Sequence, residues 1–128
     1  MFTPEMVTYI ASQRLARIAT VDPSGQPDVA VVAFKFDGEY FYVSGGSMLK
    51  TLKYKNVMQG NDRVALVIDD VESFVPWKPR GLKIHGTAEI IEYMMFGTLR
   101  DTFKITPTRL WHWGIITGTY QVTEVTPP

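Results

Sequence analysis

Between Val29 and Asn56 the chain spells out a strand, a tight turn, a second strand and the opening of a helix, and this order restricts the fold more than any other stretch. VAVVAFKF (29–36) is rich in β-branched and aromatic residues. Asp37-Gly38 is a hairpin signal, and Glu39 to Ser44 reads as the return strand. The return strand breaks at Gly45-Gly46. Ser47, a favourable N-cap, then opens a helix expected to run to Gln59 and to stop at Gly60-Asn61-Asp62.

The same segment carries the chemistry. Lys50 and Lys53 are three apart and share one face of the expected helix. Backbone N–H groups, hydroxyls and two ammonium groups then converge at one helix start, an arrangement suited to phosphate. The plainer alternative is a strand-to-helix turn followed by a solvated basic helix. Lys35, on the strand face of Val31 and Ala33, is either a second cation for the same anion or an ordinary outward lysine.

The flanking segments extend the β pattern. Thr3-Pro4-Glu5 reads as a helix start, with Met6, Val7, Ile10 and Ala11 as its apolar stripe. Leu15 to Val21 alternates as a strand and ends in the turn residues 22–27. Arg63 to Asp69 is nearly all apolar and reads as a strand buried on both faces. Val71 to Arg80, with two prolines, reads as a loop. Leu82 to Glu92 alternates, and Gly86 marks a bulge or a close backbone approach. Tyr93 to Phe103 reads as a short helix, and Arg109 to Ile116 and Thr119 to Val125 as the last strands. The sum is a mainly β chain. A small barrel of six or more antiparallel strands, with a long helix after the third, is the expected architecture.

At 128 residues the chain fits one domain. Thirteen basic residues balance thirteen acidic ones, so no global field draws it to nucleic acid or anionic lipid. No cysteine is present, which excludes disulfides and thiolate chemistry. No apolar run reaches the roughly 18 residues of a membrane span, and the start lacks a signal-peptide pattern. A cytoplasmic location is the expectation.

Other constellations are weaker. His85 and His112 are the only histidines, so a zinc site would need both plus Asp69 or Asp70. No serine sits in a nucleophile elbow, and Gly45-Gly46 lacks P-loop spacing. Asp69-Asp70 with Glu72 reads as a solvated strand end. Trp77 and Arg80, in PWKPRG, pair an aromatic face with an anion-binding guanidinium, or simply pack a Pro-rich loop. Alternation puts Trp111 and Trp113 on one face, as core, interface or cofactor wall.

In order and spacing, LARIATVDPSGQPDVAVVAFKFDGEYFYVSGG, KTLKYKN, NDRVALVIDD, PWKPRGLKIHGTAEI and ITPTRLWHWGI resemble the pyridoxamine 5′-phosphate oxidase-like family of flavin and deazaflavin proteins. The resemblance implies an FMN-binding split β-barrel, built as a homodimer with the cofactor between subunits. It implies cofactor-binding roles for Lys35, Val43, Ser44, Gly45, Ser47, Lys50, Thr51, Lys53 and Asn56, with Trp77, Arg80 and Trp113 approaching from the partner subunit. Backbone of 27–30 and of Ala33-Phe34 would flank the ring. The chain departs from the oxidases at Ala30, where they have arginine, and at Gly81, where they have a flavin-contacting glutamine. Pyridoxine phosphate oxidation is therefore not the expectation. An F420- or FMN-dependent oxidoreductase acting on an unidentified small molecule is, with no catalytic side chain assigned and no metal. The alternatives are a non-catalytic flavin, F420 or tetrapyrrole binder, and a structural dimeric barrel.

Overall fold

The computed structural model describes residues 1–44, 50–116 and 123–125. Helix α1 (Pro4–Ala11) starts where the sequence placed it. Thr3 is the extended N-cap, its Oγ1 accepts from the Met6 N–H at 3.2 Å, and Pro4 occupies the first turn. Met6, Tyr9 and Ile10 form its buried face.

Strands β1 (Leu15–Val21), β2 (Pro27–Phe36) and β3 (Phe41–Val43) follow, then α2 (Leu52–Met58), β4 (Arg63–Ser73), β5 (Lys78–Met95), β6 (Thr98–Trp113) and β7 (Thr123–Val125). All pairings are antiparallel, in the order β3-β2-β1-β4-β5-β6-β7, and a further β3–β6 pairing closes six strands into a barrel. Phe41, Phe103, Ile18, Leu66, Ile84 and Leu110 fill its interior, each at most 1% exposed. Fully burying side chains of this kind contributes about 1.5–3 kcal/mol apiece.

Closure depends on the length of β5 and β6. β4 covers β5 only as far as Thr87. Beyond that point the β5–β6 hairpin runs on alone, and its Phe103–Ile105 segment turns to β3. The pairing shifts register between His85 and Gly86, and a Cβ at Gly86 would lie 2.6 Å from the Thr106 carbonyl oxygen. The expected bulge and the expected close approach are therefore the same place: the bend where the hairpin leaves β4.

Four sequence expectations are corrected. Residues 93–103 form no helix. They are the tip of the β5–β6 hairpin, turning at Phe96 (φ 52°) and Gly97 (φ 82°), the two positive dihedrals of a type I′ turn. Residues 71–80 are largely strand, because β4 reaches Ser73 and β5 begins at Lys78. β4 buries one face, through Val64, Leu66 and Ile68, while Ala65 and Val67 stay half-buried. The described helix after β3 spans 52–58 with Thr51 as its cap, short of the expected end at Gln59. Residues 47–49 lie outside the described residues, as does 119–122 of the expected last strand.

Candidate functional site

Lys35 stands exposed near the end of β2, paired with Tyr42 of β3. Its Nζ lies 5.7 Å from the centre of the Phe96 ring on the hairpin tip. Tyr42 is held from two sides. Its hydroxyl donates to Asp37 Oδ2 at 2.8 Å, and its ring stacks on Tyr93 at 4.1 Å, 7° from parallel. Burial, and then the Asp37 carboxylate, push the Tyr42 hydroxyl well above the usual phenol range. Val43 is wholly buried in the core, so only its backbone can face a ligand. Ser44 is also buried, and its Oγ donates to the Asp101 carbonyl at 3.0 Å. Gly45 and Ser47, both predicted to bind cofactor, lie outside the described residues.

Lys50 is exposed and precedes the Thr51 cap, whose Oγ1 accepts from the Tyr54 N–H at 3.3 Å. Lys53 sits in the first turn of α2, which holds no acidic residue, although a cation opposes the helix dipole there. It is 7% exposed. Burial lowers its pKa, and the Asp28 carboxylate acts in the opposite direction. Asp28 and Lys35 are seven residues apart on β2, about 23 Å along an extended strand. Lys35 and Lys53 thus serve opposite ends of β2, with Lys50 following the segment that leaves Ser44.

Asn56 is turned inward. It is 3% exposed and its Nδ2 donates to Thr20 Oγ1 at 2.9 Å, tying α2 to β1. Arg80 is likewise engaged. Its Nε and Nη2 reach Asp70 Oδ1 and Oδ2 at 2.8 and 2.6 Å, and its guanidinium lies 5.0 Å from the Tyr9 ring centre. Asp70 also accepts from the Tyr9 hydroxyl and from Gln13 Nε2, each at 3.0 Å. Arg80 first, then Tyr9 and Gln13, hold the Asp70 carboxyl below the usual carboxylate range. Asp70 is therefore the hub that docks α1 on the barrel, not part of a solvated strand end. A cavity of about 520 Å³ opens beside this cluster, between α1, Glu72, Arg80 and Ile115.

Trp113 lies across from Gly81 on the β5–β6 pair and is half-buried. Trp77 is 63% exposed on the β4–β5 turn, 6.0 Å from the ring of Phe74. His85 is exposed edge-on to Trp111, whereas His112 is buried and its pKa is lowered by that burial. Among the described residues no three of His, Asp and Glu gather where they could hold a metal.

Sequence reading missed one cation. Arg100 pairs with Tyr93 on the far part of the hairpin, and its Nε is buried without a hydrogen-bond partner. Nothing local marks it, because residues 93–103 read as a helix.

The sequence model of pyridoxamine 5′-phosphate oxidase matches residues 2–114. The chain belongs to that family. Its relatives include 5a,11a-dehydrotetracycline/5a,11a-dehydrooxytetracycline reductase of Streptomyces rimosus, 36% identical, with 89% of this chain and 84% of the relative covered. HupZ of Group A Streptococcus shares the family fold at a TM-score of 0.69 and 23% identity, over 94% of this chain and 99% of its own. An F420 reductase does so at 0.60 and 23%, over 77% and 89%.

Proposed function

We propose that this family member is an oxidoreductase that binds a flavin-type cofactor, F420 or FMN, along β2 and passes hydride or electrons between it and a small molecule. The observation that carries this reading is the 36% identity to a reductase across most of both chains. The donor set fits a phosphate-bearing ligand. Lys35 and Lys50 make no ion pair among the described residues, and the Arg100 Nε is buried and unpartnered.

When bound, the tricyclic ring supplies the redox chemistry. The chain's own residues bind and orient it. Lys35 and Lys50 offer ammonium groups to the phosphate. Lys55 and Lys78 are the reserve of positive charge for the longer acidic tail of F420, since Arg80 is committed to Asp70. The backbone of 27–30 and of Ala33-Phe34 provides the edge against which the ring lies.

A second copy completes the site. Leu15, Val29 and Val31 are 49%, 69% and 63% exposed on neighbouring strands β1 and β2. Such an apolar outer face is suited to a homodimer, with Trp77 and Trp113 of the partner copy closing the cleft.

The test is equilibrium binding of FMN and of F420, followed by turnover with a reductant and a panel of acceptors that includes 5a,11a-dehydrotetracycline. Tight binding of one cofactor with turnover is expected. Binding without turnover leaves a carrier, and no binding of either overturns the reading.

A further inference from the structure

We propose that Arg100, on the β5–β6 hairpin, is a phosphate-recognition residue acting with Lys35 beside the Tyr42–Tyr93 stack. The proposal deepens the cofactor reading above and rests on it for the identity of the ligand.

Register places the cluster on one face, turned away from the barrel interior and partly covered, with Thr102 and Tyr42 buried on it. Lys35 pairs with Tyr42, Tyr42 with Lys104, and Tyr93 with Arg100. Cross-strand partners point to the same side of a sheet. The Tyr42–Tyr93 stack joins the two pairs, so Lys35 and Arg100 are each the cross-strand neighbour of one of its rings. Along β6 the same face carries Lys104, Thr102 and Arg100 in alternation. Phe103 pairs with Val43, the last residue of β3, so Arg100 lies farther along, beyond the point where the chain leaves β3. Ser44 is anchored there by its hydrogen bond to the carbonyl of Asp101, the residue next to Arg100. The backbone carbonyl of Arg100 itself accepts from Thr102 Oγ1 at 3.0 Å.

The chemistry then identifies the ligand. A guanidinium is always charged and offers donors in a planar fork suited to phosphate. Burying one of its nitrogens without an acceptor is unfavourable, and that penalty is relieved by an anion delivered to the site. Of the carboxylates on this face, Glu89 is the cross-strand partner of Lys104, and Asp37 is already engaged with the Tyr42 hydroxyl and with the Glu39 and Tyr40 N–H groups.

The decisive measurement is the Arg100 Nε–Hε resonance, identified by its loss in Arg100→Gln, during titration with FMN, riboflavin and inorganic phosphate. FMN and phosphate are expected to move it and riboflavin to leave it in place. Arg100→Gln is expected to weaken FMN binding about tenfold or more, the size of one charge-assisted hydrogen bond, without changing riboflavin binding. A resonance unmoved by saturating FMN, or equal losses for FMN and riboflavin, overturns the proposal. If the wild type binds neither FMN nor F420, the cofactor reading falls, and phosphate alone decides: a shifted resonance supports the Arg100 site and an unshifted one removes it. Should Arg100→Gln not fold, Arg100→Lys supplies the resonance identification and the wild-type titration decides in the same way.

Discussion

The ring of Trp113 occupies the room in which a side chain on Gly81 would stand. A Cβ at Gly81 would fall 2.3 Å from Trp113 Cζ2 and 2.9 Å from the Ile68 carbonyl oxygen. The position where the related oxidases carry glutamine is therefore roofed by the chain's own indole. Gly81→Ala must displace that ring or strain β4, and a loss of about 1–3 kcal/mol is expected, as for other overpacked sites. Thermal melts read the loss, and a shifted tryptophan emission maximum reports the displaced ring. A variant that melts like the wild type would show that Trp113 moves aside freely.

Asp70 gathers Arg80, Tyr9 and Gln13 around one carboxylate. Its folded pKa lies below the ordinary carboxylate value. The ionised form thus stabilises the fold above the unfolded pKa of about 4, and that contribution fades as pH falls through the lower folded value. Asp70→Asn is expected to lower stability by about 1–3 kcal/mol at neutral pH and to flatten the acid limb of a stability–pH curve. Denaturant midpoints between neutral pH and about pH 3 check both. An unchanged acid limb would assign it to other carboxylates.

Asn56 and Thr20 form a buried pair 36 positions apart. Asn56→Ala leaves the Thr20 hydroxyl unpaired and is expected to cost about 1–3 kcal/mol. The double variant Asn56→Ala with Thr20→Val should recover part of this. A double-mutant cycle in chemical denaturation measures the coupling, and strict additivity would deny it.

Val29 and Val31 project from β2 beside Leu15 of β1. Val31→Glu is expected to convert a dimer to a monomer while leaving the far-ultraviolet circular dichroism unchanged. Light scattering on both proteins decides, and a wild type that is monomeric at high concentration removes the second copy from the site.

Lys35→Ala and Lys50→Ala should each weaken FMN binding about tenfold and spare riboflavin. Fluorescence titration separates the two ligands. Unchanged FMN affinity in both variants would detach the phosphate from these two lysines.

What the sequence disclosed follows the range of its interactions. The start of α1 was readable because Thr3 and Pro4 act within one turn. β1 to β3 were readable because alternation and the Asp37-Gly38 turn are local signals. Gly86 announced a bend for the same reason. The hairpin tip at Phe96-Gly97 was not, since its apolar residues mimic a helix and no Asn or Asp precedes the glycine. Asp70 looked like part of a solvated strand end, and Asn56 like a cofactor ligand, because their partners come from other elements. Val71 to Arg80 was read as loop on the strength of its prolines, yet Pro79 pairs with Val71 beside a bulge. Of the predicted site, Lys35 and Lys50 lie open, Asn56 and Arg80 are committed to internal partners, and Gly45 and Ser47 fall outside the described residues.

β3 is only three residues long, and left at a border it would be the first piece to fray. Flanked by β2 and β6 it has no free side. Its amide protons should therefore trade with solvent only when the whole molecule opens, as slowly as those at the centre of β5. A three-residue strand becomes a latch, and the residue that follows it starts from a fixed point.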